Sequence, residues 1–525
     1  MRRHALFIGV FILVATARFV MLLTSQTHVH SDEAIIGLMG KHILEGRYFP
    51  FYMYGQPYNA GAAWEAYLAA IAFAFFGVSV VSLKSCIVVL SLLCLFLFYR
   101  MCLVLYDQKA ALLATVAFAL APSLLKWHFQ VRGYSWYFLS IPILTMLFAS
   151  IDSDRPPQKR TLFFFGLVSG VSVWCLELVI PLVGTFWLLL ILRRRFSLSN
   201  AASALFGVVT GYAPVIAFNF AHHFSNWRYL IIERPGGGLS SLVHVSAFGR
   251  IFLEEMPKFF GTDTVLWYYA ETPAYGWVFY AISLFAVGLA MWPFAKSPSK
   301  IIRALRGDLS DHWQKRDFDM LLLTAASFIP YLTQPVGVPS YFFGGCFFLS
   351  VLTGRMLERS FLSSTALPRL GGASVLAAIL VTGVAVMIRV GQENQIETLS
   401  LCQDGKSYCM TRIPGTDIEG VEQYLRQHNV TSVWTTISFV YPLLFESGET
   451  LAVSNAIFEY PHRVYPQKIP WREPSLDPDA AFVIESDSPF CHGLEVRYAQ
   501  TFGATPLVRE FGKLTVVAGP PQNSF

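Results

Sequence analysis

Two adjacent carboxylates, Asp32 and Glu33, follow the first apolar run of the chain, with His28 and His30 just before them. A carboxylate at a membrane interface is costly to hold there without a task. It can take the proton of a hydroxyl group as a general base. Apolar burial raises its basicity, and a nearby cation lowers it. A structural role is compatible: Asp32 would cap the helix that starts near Ala34, with Glu33 in its first turn. His28, His30 and Asp32 alternate along an extended segment and face one side, so a divalent metal could join them. Interfacial histidines without metal are commoner, and no cofactor is fixed by the sequence.

Three further clusters could bind a substrate. Gly55-Gln56-Pro57-Tyr58-Asn59-Ala60-Gly61 precedes Trp64 and Glu65. Tyr58 and Asn59 can bond sugar hydroxyls or a diphosphate, although Tyr58 and Trp64 equally suit an interfacial aromatic belt. Glu65 lies in an apolar helix with no cation three or four residues on, so it needs a partner elsewhere. The stretch from Lys126 to Tyr134 carries His128 and Arg132. Arginine presents a fork that matches phosphate oxygens, with Lys126 and His128 as alternatives and Tyr134 as a further contact. A snorkelling arginine at lipid headgroups would look the same. Asn219, inside an apolar segment, suggests a polar lining, and His222 and His223 follow as weak metal candidates.

These residues need a membrane scaffold to hold them. Of 525 residues, 54% are hydrophobic and 14% charged. The mean hydropathy is +0.49. Soluble chains carry roughly a quarter charged residues. The expectation is a polytopic all-α membrane protein with about eleven spans. They fall near 5–23, 80–103, 110–125, 133–150, 161–177, 178–192, 200–221, 275–294, 319–333, 341–357 and 372–390. Basic clusters mark the loops expected inside. These are Arg155, Lys159 and Arg160; Arg193 to Arg195; Lys296 to Arg316; and Arg355, Arg359 and Arg369.

Residues 1–390 would form the transmembrane domain. Two segments, 24–79 and 222–274, would be large outer loops. The helix from Ala34 to Glu45 would lie on the membrane surface, and further helices are expected over Trp64 to Phe76 and Leu242 to Phe260. The Gly236-Gly237-Gly238 run reads as a flexible loop, because no phosphate-binding frame surrounds it. Residues 391–525 would form an external α/β domain, with helices over 417–428 and 438–446. Strands are expected at 430–436, 451–454, 481–484, 506–510 and 513–518. Cys402 and Cys409 could form a disulfide in an oxidising compartment, and a zinc site there lacks an obvious second pair.

The order of these features resembles the C-type glycosyltransferases. A basic N-terminus and one span lead to Asp32-Glu33-Ala34, then a helix, Gly55-x-Pro57-Tyr58, another helix and Phe76-Gly77-Val78-Ser79. The nearest branches are the protein O-mannosyltransferases and the aminoarabinose transferases of lipid A. The resemblance covers about 390 residues in topology and is specific mainly over 31–84. It implies a polyprenyl-phosphate sugar donor, a hydroxyl acceptor (lipid, glycan or protein), action on the outer face, and Asp32 as base. The loop 126–134 matches only by position. Aminoarabinose transferases follow the tyrosine with Glu-Lys-Pro-Pro, whose Glu binds metal and whose Lys binds phosphate. This chain has Asn59-Ala60-Gly61 there, so neither role carries over.

The reading is an inverting glycosyltransferase in the inner membrane of a bacterium, acting outside the cytoplasm with no nucleic-acid partner. A lipid-linked sugar flippase and a glycan ligase or polymerase stay open as rivals. Transporters show paired broken helices in two related halves, and no such repeat is visible here.

Overall fold

The computed structural model describes residues 4–233, 249–261, 274–332, 339–401, 408–455, 480–488, 491 and 493–519. The Gly236–Gly238 run and Cys402, with its expected disulfide, lie outside the described residues.

Each of the eleven expected span positions holds a helix. Among the described residues, five helices are long and apolar enough to cross a membrane: α1 (Ala5–Thr24), α4 (Val80–Leu105), Leu198–Ala221, Ala274–Lys296 and Ala366–Gln392. A sixth arises if α5 (Gln108–Ala119) is joined to Pro122–His128 across a bend of 68°. Length and composition therefore do not reach eleven. The helices Ser135–Ile151 and Ile180–Leu192 have 17 and 13 residues, short of the roughly 20 a span needs. The helix His312–Leu332 begins with Lys315, Arg316, Asp317 and Asp319.

Those charges have partners. Arg193 meets Asp152 at 2.8 Å and Asp319 at 2.5 Å, and Lys315 meets Asp152 at 2.9 Å. This network joins two of the basic clusters, through Asp152 just before a third, at one end of the bundle. The 17-residue helix Ser135–Ile151 separates it from Arg132 by roughly 25 Å, at 1.5 Å per residue.

At the other end, α2 (Ser31–Leu44) and α3 (Ala60–Phe76) pack together beneath the C-terminal domain. The expectation that α2 lies on a membrane surface is overturned. It is buried almost all round, with Ile35, Ile36, Leu38 and Met39 in one apolar cluster with α3, Phe439, Tyr441 and Phe445. A Cβ at Gly37 would come within 2.6 Å of the Phe445 ring.

The C-terminal part is α/β. Strands β1 (Gln395–Leu401) and β2 (Tyr408–Pro414) form an antiparallel ribbon that the sequence pattern did not suggest. β3 (Ser432–Thr435), β4 (Ala452–Asn455), β5 (Ala481–Glu485), β6 (Leu507–Phe511) and β7 (Leu514–Ala518) form a mixed sheet of order β4-β3-β5-β7-β6. β3 runs parallel to β4 and β5, and β7 antiparallel to β5 and β6. The helix Gly415–Gln427 starts before Asp417, whose carboxylate accepts from the Lys513 amide at 2.9 Å across the domain.

Candidate active site

The start of α2 differs from expectation in a way that matters chemically. Its cap is His30, not Asp32. The His30 ring accepts from the Asp32 amide at 3.3 Å, and the Glu33 carboxylate accepts from the His30 amide at 2.9 Å. This is a capping box with histidine in the serine position. Glu33 is thereby structural and buried. It also accepts from the Val131 amide at 3.0 Å and lies 3.5 Å from the Lys84 ammonium.

Asp32 projects from the same turn towards Arg132, whose guanidinium donates to it at 3.4 Å. Its side chain is 27% exposed, which leaves it open to an approaching hydroxyl. Arg132 lies over the Trp127 ring at 5.9 Å. Its Nε and Nη2 groups are buried without a hydrogen-bond partner. Such groups each cost about 1–3 kcal/mol when left unmet, so they point to an acceptor that belongs there.

Glu65 explains how the loop carrying Arg132 is held. Its two oxygens accept from the Gly133 amide at 2.7 Å and the Ser135 amide at 2.9 Å. Burial raises its carboxyl to about 7, and the two amides pull against that rise. Close backbone approach makes this possible. Gly133 has φ +85°, and a Cβ on Gly61 would sit 2.0 Å from the Gly133 carbonyl oxygen. The expectation that Glu65 binds substrate gives way to a role in fixing the loop.

Lys126 reaches the same place through the bend after α5. Its ammonium donates to Glu397 of β1 at 2.6 Å, with both side chains buried. A cavity of about 330 Å³, open mouth included, is lined by Lys84, Lys126, Arg132, His28, His30 and Glu397, among others.

The remaining predicted residues do not converge there. His128 is buried against Phe118, with both ring nitrogens unpartnered, and lines a separate small cavity with Ser91 and Cys94. Tyr134 packs on Trp127 and Phe343 at the edge of that cavity. Tyr58 stacks on Tyr229 with ring centroids 4.8 Å apart. Asn59 takes φ +61° at the start of α3, against Gly133. Asn219 is structural, not a cavity lining: its amide donates to the Val215 carbonyl, and its oxygen accepts from the Trp227 amide. His222 and His223 are exposed at the end of that helix.

The proposed metal donors do not assemble either. One ring nitrogen of His30 is taken by the Asp32 amide, and His28 turns towards Glu419 at 3.6 Å. Burial lowers the His28 pKa, against the pull of Glu419. Among the described residues no group of three His, Cys, Asp or Glu side chains could hold a metal ion.

Lys84 and Glu397 are the site residues that sequence reasoning missed. Lys84 carried a signal, because an ionisable residue near the start of an apolar helix needs a partner as Glu65 does. Glu397 carried none, since a glutamate on a polar ribbon reads as solvated.

The backbone arrangement has known counterparts. ArnT from Cupriavidus metallidurans bound to undecaprenyl phosphate matches with a TM-score of 0.55 and 14% identity, over 98% of this chain and 99% of that one. The apo state of the same protein matches at 0.53 and 13%, over 98% and 99%. This chain shares the fold of ArnT. The Archaeoglobus fulgidus oligosaccharyltransferase tethered with an acceptor peptide matches at 0.50 and 12%, over 86% of this chain and 64% of that one. At these identities the likeness is one of fold. No family model and no curated protein matches the sequence.

Proposed function

We propose that this chain is an integral-membrane glycosyltransferase that moves a sugar from a polyprenyl-phosphate donor to a hydroxyl acceptor. The observation that carries this reading is the placement of Asp32 beside Arg132, whose buried Nε and Nη2 groups lack partners. A phosphate supplies the acceptors those groups need. ArnT, which shares the fold, was captured with undecaprenyl phosphate.

In this reading Asp32 takes the proton of the acceptor hydroxyl as its oxygen attacks the anomeric carbon. The bond from that carbon to the phosphate oxygen breaks, and the lipid phosphate leaves with its new charge held by Arg132. A single displacement inverts the anomeric centre, by the geometry that governs single-displacement glycosidases. An apolar cavity of about 1080 Å³, open mouth included, fits the lipid tail. It is lined by Phe252, Phe260, Tyr280, Phe328, Phe342 and Leu349, among others. Phe342 adjoins Phe343, which packs on Trp127 and Tyr134 beside the site. The basic loops at the opposite end of the bundle favour placing the site outside the cytoplasm of a bacterial inner membrane.

The test is to incubate purified protein with a panel of polyprenyl-phosphate sugars and measure released lipid phosphate. Release with one donor supports the reading. Silence across the panel, with the lipids still bound, favours a flippase.

A further inference from the structure

The cavity contains three cations, and each faces one carboxylate. Lys84 lies 3.5 Å from Glu33, Arg132 lies 3.4 Å from Asp32, and Lys126 lies 2.6 Å from Glu397. A cavity balanced in this way has no net positive charge to offer an arriving phosphate. Arg132 still has its unmet Nε and Nη2 groups to offer, but a second cation reaches the phosphate only if its carboxylate yields it.

The three are not equally able to yield. Glu33 is pinned by two backbone amides and caps α2. Asp32 belongs to the same turn and faces the hydroxyl it would deprotonate. Glu397 alone among the three comes from the C-terminal domain, on the β1–β2 ribbon.

The ribbon also supplies a place for that charge to go. Arg412 is the residue opposite Glu397 across the two strands, and opposite charges at such positions attract. Arg412 bonds to Glu393 at 3.1 Å, and Glu393 has Arg389 as a second partner at 3.1 Å. Arg412 can thus turn to Glu397 without leaving Glu393 unpaired.

We propose that Glu397 is a positioning residue supplied by the C-terminal domain, which neutralises Lys126 in the empty cavity and hands it to the donor phosphate by moving to Arg412. This rests on the glycosyltransferase reading, and it gives the C-terminal domain a task in that reaction. Lys126 contacts the phosphate directly, whereas Glu397 acts through Lys126.

The test titrates the full-length protein with undecaprenyl phosphate, using uncharged undecaprenol as the control. Glu397→Gln removes the competing charge, and affinity for the phosphate rises about ten-fold. Glu397→Asp keeps the charge but shortens the reach, and affinity rises in the same direction. Lys126→Gln weakens binding, and adding Glu397→Gln to it changes nothing more. Arg412→Gln weakens binding in the wild-type background but not beside Glu397→Gln. Undecaprenol binding stays constant throughout, which a merely structural role would not produce. Wild-type binding accompanied by equal or weaker binding in both Glu397 variants overturns this role alone. Absence of binding in the wild type and every variant overturns the glycosyltransferase reading and this inference with it.

Discussion

Asp32 and Arg132, a hundred residues apart in the chain, meet at 3.4 Å at the rim of a cavity that also holds Lys84 and Lys126. In the proposed reaction this contact joins the base to the group that would hold the phosphate. It forms because Glu33 and Glu65 accept backbone amides on either side of Arg132, at Val131, Gly133 and Ser135.

Asp32→Asn keeps the shape and removes the basicity. Transfer falls by about 10²–10⁴-fold, the usual worth of a general base. The capping box of His30 and Glu33 remains, so the melting temperature stays near wild type. Near-normal release of lipid phosphate by this variant would end the assignment.

Arg132→Lys keeps one charge and loses the fork. Affinity for undecaprenyl phosphate falls about 10–100-fold, in line with the roughly 1.5–3 kcal/mol of a charged hydrogen bond. Trp127, under the guanidinium at 5.9 Å, gives a fluorescence signal for the titration. Equal affinity in the two proteins would remove Arg132 from the site.

Lys84→Met leaves Glu33 as a buried carboxylate without its cation. Breaking such a pair costs about 3–5 kcal/mol, so the thermal unfolding midpoint drops markedly. Lys84→Met combined with Glu33→Gln is less unstable than Lys84→Met alone. A double variant at least as unstable as the single one would contradict the pairing.

Glu449 ties the C-terminal domain to α2. It meets Lys41 at 2.6 Å and His42 at 3.1 Å. Burial pushes its carboxyl up, but His42 and Lys41 outweigh that and hold it at about 2. A folded pKa below the ordinary 4.5 gives stability that is present above pH 4.5 and lost as pH falls towards 2. Protease sensitivity of the C-terminal domain therefore rises over that window and not above it. Glu449→Gln is more sensitive at neutral pH and lacks the acid step in that window.

Much of this was legible in the residues. The apolar runs located a helix at each of the eleven expected positions, and the patterns of Val430 to Thr436 and Lys513 to Ala518 located β3 and β7. Asp32 and Arg132 stood out by type as a candidate base and a candidate phosphate clamp, and the fold brings them within 3.4 Å of each other. The surface position expected for α2 was wrong. An apolar stripe shows that a helix buries a face but not whether lipid or protein covers it, and here α3 and the helix Ile437–Glu446 do.

The sequence by itself determined where the chain is apolar, where it turns and which side chains can do acid–base or phosphate chemistry. These follow from local hydropathy, periodicity and functional groups. Only the tertiary structure decided the partners: Glu33 with Lys84, Glu65 with the amides of Gly133 and Ser135, and Lys126 with Glu397 across 271 residues of chain. It also moved the helix cap from Asp32 to His30. A buried charge requires a partner but does not specify which one. That choice is made when packing brings distant segments within a few ångströms of each other.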